Sequence, residues 1–128
     1  MTYLIDTHPL LWLLDNDSAI PAPTLARLND LNTQLFVSIA NIWKVSIKRS
    51  LGQLTINRLT QIIVDELALL RIDVSPILPS HASQVEALSF HHKDPFDRII
   101  ITQASVEGCV IVSEDTNFPL YTVPLLWD

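Results

Sequence analysis

Tyr3-Leu4-Ile5-Asp6-Thr7-His8-Pro9-Leu10-Leu11-Trp12-Leu13-Leu14 is the stretch whose reading sets the fold class. Tyr3 to Ile5 is a short apolar run that stops at an acid, the pattern of a buried strand. Thr7 can cap a helix and Pro9 suits a first helical turn, so Leu10 to Leu14 read as an apolar helix entered directly from the strand. The strand-then-acid pattern returns near the other end of the chain, where Val110-Ile111-Val112 leads to Asp115.

Between these ends, strands and helices alternate. Asp15 to Ser18 form a turn, and Leu25, Leu28 and Leu31 mark a helix. Leu35 to Val37 read as a strand. Ser38 caps a helix carrying Ile39, Ile42, Trp43 and Ile47, and Gly52 stops it. A long amphipathic helix is expected from about Asn57 to Arg71 on the spacing of Leu59, Ile62, Ile63, Leu67 and Leu70. A strand is expected from Ile72 to Ile77, then a helix from Pro79 to Leu88. Asp94-Pro95 opens an apolar helix from Phe96 to Glu107, and Leu120 to Trp127 read as a last extended segment. Such alternation predicts an α/β fold with a mostly parallel central sheet and helices on both faces. No repeat, linker or low-complexity tract divides the chain, so a single domain over residues 1–128 is expected.

Composition narrows the function. Of 128 residues, 48% are hydrophobic and 17% charged, which excludes a disordered chain. Only two glycines are present, so neither a P-loop nor a dinucleotide fingerprint can be written. With 8 basic against 14 acidic residues, the net charge is −6. That argues against a protein that coats nucleic acid through basic groups, but not against an enzyme that meets it through a metal. The lone Cys109 cannot form an internal disulfide and reads as a buried thiol. The N-terminus carries no signal peptide and no apolar run is long enough to span a membrane, so a soluble cytoplasmic domain is expected.

In parallel sheets, ligands sit at the carboxyl ends of the strands, where Asp6 and Asp115 fall. Asp97 lies in the first turn of the Phe96–Glu107 helix. Singly, these acids are a helix cap, a loop residue and a charge favourable to a helix N-terminus, with Asp94 as cap. Together they would face one another, an arrangement that calls for a cation. Oxygen ligands of this kind select Mg2+ or Mn2+, and such ions activate water for phosphodiester hydrolysis. His91 and His92 are adjacent and point in different directions, so no zinc site is expected; His8 and His81 read as structural or surface residues.

Leu4-Ile5-Asp6-Thr7-His8-Pro9-Leu10-Leu11-Trp12 resembles the start of PIN-domain nucleases of the VapC toxin type. Val37-Ser38-Ile39-Ala40-Asn41-Ile42-Trp43, Asp94-Pro95-Phe96-Asp97-Arg98 with the residues around it, Val112-Ser113-Glu114-Asp115 and Tyr121 to Trp127 extend the resemblance over essentially the whole chain. The resemblance implies a three-layer α/β/α sandwich and a Mg2+-dependent endoribonuclease, the toxin half of a type II toxin–antitoxin pair. It also implies a homodimer restrained by a cognate antitoxin. The family's metal-holding catalytic acids map onto Asp6, Asp97 and Asp115. Asp94 matches a further acid, and Thr7 and Ser38 match hydroxyls near the site.

One departure stands out. The family has a glutamate directly after the tryptophan matching Trp43, and here that position is Lys44. No acid occurs between Asp30 and Asp65 to replace it. Three consequences are open: weaker metal binding, an ion pair from Lys44 to Asp6 or Asp97 that takes the cation's place, or a contact from Lys44 to RNA phosphate. The second would give a catalytically impaired domain that binds RNA or an antitoxin. A response-regulator receiver is disfavoured because the last basic residue is Arg98.

Overall fold

The computed structural model describes residues 1–54 and 58–128. Strands β1 (Thr2–Ile5), β2 (Gln34–Ser38), β3 (Ile72–Ser75), β4 (Val110–Val112) and β5 (Leu125–Leu126) form one five-stranded sheet in the order β3-β2-β1-β4-β5. Every pairing is parallel. The helices are α1 (Thr7–Leu14), α2 (Ala22–Leu28), α3 (Ile39–Ser50), α4 (Thr60–Leu69), α5 (Pro79–Val85) and α6 (Pro95–Glu107).

Strand alternation divides the core in two. Tyr3 and Ile5 of β1 and Val112 of β4 join Leu10, Leu11, Ile42, Ile63 and Leu67 on one face. Leu4 and Ile111 join Ile100, Ile101, Ala104 and Phe118 on the other. Helices therefore cover both sides of the sheet, as the alternating sequence predicts. The chain order reverses between β1 and β4, so the crevice outside their carboxyl ends is the place where a ligand fits.

Local signals set the boundaries, with several differences from the sequence expectations. Asp6, not Thr7, caps α1: its backbone is extended and its side chain accepts from Thr7 N. Leu31 lies beyond α2 and is 96% exposed, because Asp30 turns the chain by accepting from Asn32 N. The helix expected from Asn57 runs from Thr60 to Leu69; Asn57 itself lies outside the described residues. Strand β3 ends at Ser75, since Pro76 has no N–H to continue the ladder. The C-terminal segment is extended only in part: Phe118–Leu120 form a 3-10 turn, and Leu125–Leu126 alone pair with β4.

Helix α6 starts and stops as its sequence signals indicate. Asp94 Oδ1 accepts from Phe96 N at 2.9 Å and Asp97 N at 3.2 Å, and Pro95 occupies the first turn. Gly108 closes the helix in the left-handed region at φ 70°. A Cβ built on Gly108 meets no atom within 4 Å. Gly108→Ala is therefore expected to cost about 1 kcal/mol through backbone strain alone, read as a lower urea midpoint at unchanged slope.

Candidate active site

Asp6 leaves the end of β1 beside Ser113, because the β1–β4 register sets Ile5 opposite Val112. Its Oδ1 accepts from Thr7 N at 2.8 Å and from Asn41 Nδ2 at 3.4 Å, and its Oδ2 accepts from Ser113 Oγ at 2.8 Å. Burial dominates and pushes the carboxyl above its usual range, although the hydrogen bonds from Thr7 and Ser113 oppose it.

Asn41 links the cap of α3 to this acid. Its Oδ1 accepts from Ser38 N, while its Nδ2 donates to Thr7 Oγ1 at 2.9 Å and to Asp6. Ser38 Oγ accepts from Ala40 N and donates to Gln103 Oε1 at 2.6 Å, so it braces α3 against α6. Gln103 Nε2 in turn donates to Pro76 O.

Asp97 enters from the first turn of α6, nearly buried. His92 Nε2 lies 3.2 Å from its Oδ2, and Tyr121 Oη lies 2.8 Å from His92 Nδ1. Burial pushes Asp97 up to about 6, against the pull of Lys44. Arg98, the next residue, is buried with its guanidinium donating to Ser89 O, Leu88 O and Tyr121 Oη. This fixes the loop that holds His92.

Lys44 stands between the acids. Its Nζ is 3.5 Å from Asp94 Oδ2 and 3.7 Å from Asp97 Oδ1, and its side chain is only 16% exposed. Burial lowers its pKa, but Asp97, Asp94 and Asp6 together outweigh burial and raise it. The ammonium stays charged in the pocket. Lys44 thus pairs with Asp97, one of the two acids that the sequence offers it, and with Asp94.

Asp115 is tied into the loop that follows β4. Its Oδ1 accepts from Asn117 N at 2.8 Å, and its own N–H donates to Ser113 Oγ. Its neighbour Glu114 is electrostatically coupled to Asp6 and Lys44. Glu114 Oε1 lies 3.2 Å from His8 Nδ1, and this bond to His8 holds the Glu114 carboxyl below its usual range despite burial. Glu114 Oε2 is buried with no hydrogen-bond partner.

Sequence patterns alone do not single out His92, Glu114, Ser113 and Asn41 as site neighbours. For Ser113 a signal exists: it follows β4 where Asp6 follows β1. For His92 there is none, since its partner Tyr121 lies in a loop 29 residues away.

The PIN domain family model matches residues 3–123. The chain belongs to the PIN domain family. Solved structures share the fold at low identity. VapBC2 from Rickettsia felis, bound to a DNA fragment from its promoter, superposes with a TM-score of 0.74 at 15% identity, covering 100% of both chains. VapBC-1 from nontypeable Haemophilus influenzae gives 0.70 at 17%, covering 98% of this chain and 97% of that one. FitAcB from Neisseria gonorrhoeae gives 0.60 at 16%, covering 97% and 96%. No curated protein matches the chain in sequence.

Acids are the donor type that a hard divalent ion takes. Carboxylate oxygens line this PIN pocket, and one of them, on Glu114, is orphaned. A cation already stands there, however. Lys44 lies between Asp94 and Asp97, and among the described residues no three acids or histidines close on one point.

Proposed function

We propose that this chain is the toxin of a toxin–antitoxin pair, an endoribonuclease that hydrolyses RNA phosphodiester bonds with Mg2+ or Mn2+. The observation that carries this reading is that Asp6 and Asp97, both buried and from separate elements, act on one cation, the Lys44 ammonium, which lies 3.7 Å from Asp97. Asp6, Asp97 and Asp115 would hold the ion. When bound, the ion supplies an activated water and neutralises charge on the phosphoryl oxygens.

The protein's own contribution is to fix its ligands. Ser113 and Thr7 N orient Asp6 by opposite oxygens, and Asn41 holds it from the side. His92 engages one oxygen of Asp97 and leaves the other facing the pocket. The partner is a cognate antitoxin, since the structural neighbours are VapBC toxin–antitoxin complexes. Exposed Leu59, Ile62, Leu69 and Leu70 around α4 are compatible with a homodimer. Among the described residues no helix is long and apolar enough to cross a membrane. A cytoplasmic setting belongs to the toxin reading, because that is where its RNA substrate is.

The two contacts of Lys44 favour a second reading, a catalytically impaired domain that binds RNA or its antitoxin without cutting. One experiment separates the two. Labelled total RNA is incubated with Mn2+ or Mg2+ and wild type, Asp6→Asn or Lys44→Glu. The first reading expects metal-dependent cleavage by wild type, reduced more than about a hundredfold by Asp6→Asn. Silent wild type beside active Lys44→Glu selects the second. Cleavage that survives chelation in all three overturns both.

A further inference from the structure

We propose that His8 is a stacking platform for a base of single-stranded RNA, with Trp12 and Trp127 as its backing and Lys48 as the cation beside it. The proposal rests on the nuclease reading, names how that site grips its substrate, and calls on no metal ion.

Helix α1 builds the platform. His8 and Trp12 are four residues apart, a spacing that puts them on one helix face. Their rings stack, with centroids 5.8 Å apart and planes 22° from parallel. Trp127, just after β5, meets Trp12 at 5.8 Å and 40°. The three rings form a ladder anchored at one end. Trp127 packs against the buried cluster on its side of the sheet, Trp12 is half-buried, and the His8 side chain is 53% exposed. Glu114 holds the His8 ring by its edge, with Oε1 3.2 Å from Nδ1. A ring already fixed by an indole on one face and a carboxylate on one edge loses little freedom when a ligand covers the other face.

Position and charge select the ligand. His8 follows Asp6 by two residues, and its partner Glu114 directly precedes Asp115. A nucleic-acid strand laid across these acids meets His8 next. The chain carries a net charge of −6, so phosphate neutralisation alone supplies little affinity and contacts to the bases have to supply the rest. Stacking on an aromatic ring is such a contact, and it is open to an unpaired base and closed to a duplex. Lys48 on α3 lies close enough for its charge to act on His8. Among the described residues it makes no ion pair, so its ammonium is available to a phosphate next to the stacked base.

The test is RNA binding in chelated buffer, read by fluorescence anisotropy. The probes are a labelled single strand of about ten nucleotides and the duplex of the same sequence. Wild type, His8→Ala, His8→Phe and Lys48→Gln are compared. His8→Ala is expected to weaken single-strand binding at least about fivefold and to leave duplex binding unchanged. His8→Phe stacks but cannot bond Glu114, so it is expected to stay within about twofold of wild type. Lys48→Gln is expected to flatten the salt dependence. Equal single-strand affinity in wild type and His8→Ala overturns the proposal, as does a His8→Phe variant as weak as His8→Ala, or a wild type that binds neither probe. A His8→Ala change that spares RNA binding and weakens self-association assigns the ladder to a protein interface and also overturns it.

Should His8→Ala fail to fold, NMR of wild type decides. The His8 ring protons are expected to shift upfield as single-stranded RNA is added, under the ring current of the stacked base. His8 signals that stay still while the Asp6 and Thr7 amides move overturn the proposal. The two readings fail separately. RNA cleavage with an unchanged KM in His8→Ala removes the platform and leaves the nuclease standing. Binding that depends on the His8 ring, with no cleavage by any variant, keeps the platform and removes the nuclease.

Discussion

Phe118→Ala is expected to lower the folding free energy by about 3 to 5 kcal/mol, a large part of what a domain this size holds. Phe118 is 0% exposed and packs with Leu4, Ile100, Ile101 and Ile111 between α6 and the sheet. Truncation removes the transfer free energy of the ring and leaves a cavity that β4 and α6 cannot close without moving. The effect reaches the site through the chain. Phe118 N donates to Asp115 O, Asn117 N donates to Asp115 Oδ1, and Asp115 N donates to Ser113 Oγ, which itself donates to Asp6. The buried ring thus anchors the loop that presents Glu114 and Asp115. Urea unfolding measures the loss directly. Leu120→Ala, two residues on and half exposed, is the control and should stay within about 1 kcal/mol. A loss below about 1 kcal/mol for Phe118→Ala would mean that the loop is held by its hydrogen bonds alone.

How much of the molecule is legible in its sequence depends on how far apart the interacting residues lie. The crossover pattern is legible because each strand is a local apolar run, and α6 is legible because Asp94, Pro95 and Gly108 are local signals at its ends. Helix α3 is legible in extent but not in facing. Ile39 and Trp43 look like core residues by type, yet Trp43 is 60% exposed, while polar Asn41 is fully buried. Asn41 faces inward because its amide joins the cap at Ser38 to Thr7 and Asp6, a demand set by tertiary partners and not by periodicity. Lys44 is legible as a reversed charge. Its partner Asp94 lies 50 residues further on, and only the fold shows that the ammonium reaches it and Asp97. Glu114 is hidden by the same distance, because its partner His8 is 106 residues away.

Asp97→Asn is expected to be more stable than wild type at neutral pH in chelated buffer, and no more stable at pH 4. Burial raises the Asp97 carboxyl from 3.8 to about 6, so the fold favours its protonated form. The folded state then binds more protons than the unfolded one between these values, and stability falls as pH rises through that window. Above about pH 6 the full penalty applies; below about pH 4 it is absent. A rise of about two units corresponds to about 2 to 3 kcal/mol. Lys44, the nearest cation, already reduces that penalty, whereas Asp6 and Asp94 add to it. Asparagine stands in for the protonated acid and keeps an oxygen for His92, so it escapes the penalty without emptying the pocket. Thermal unfolding from pH 4 to 8 should show the two melting curves coincide at the acid end and separate by several degrees at the neutral end. On the metal-dependent reading, Mn2+ should narrow the gap by stabilising wild type alone, since asparagine would be the poorer ligand. Equal stabilities at pH 7.5 would mean that Lys44 and His92 fully compensate the buried charge. A gap that closes with Mn2+ would instead support Asp97 as a ligand of the ion, a buried acid whose penalty binding offsets.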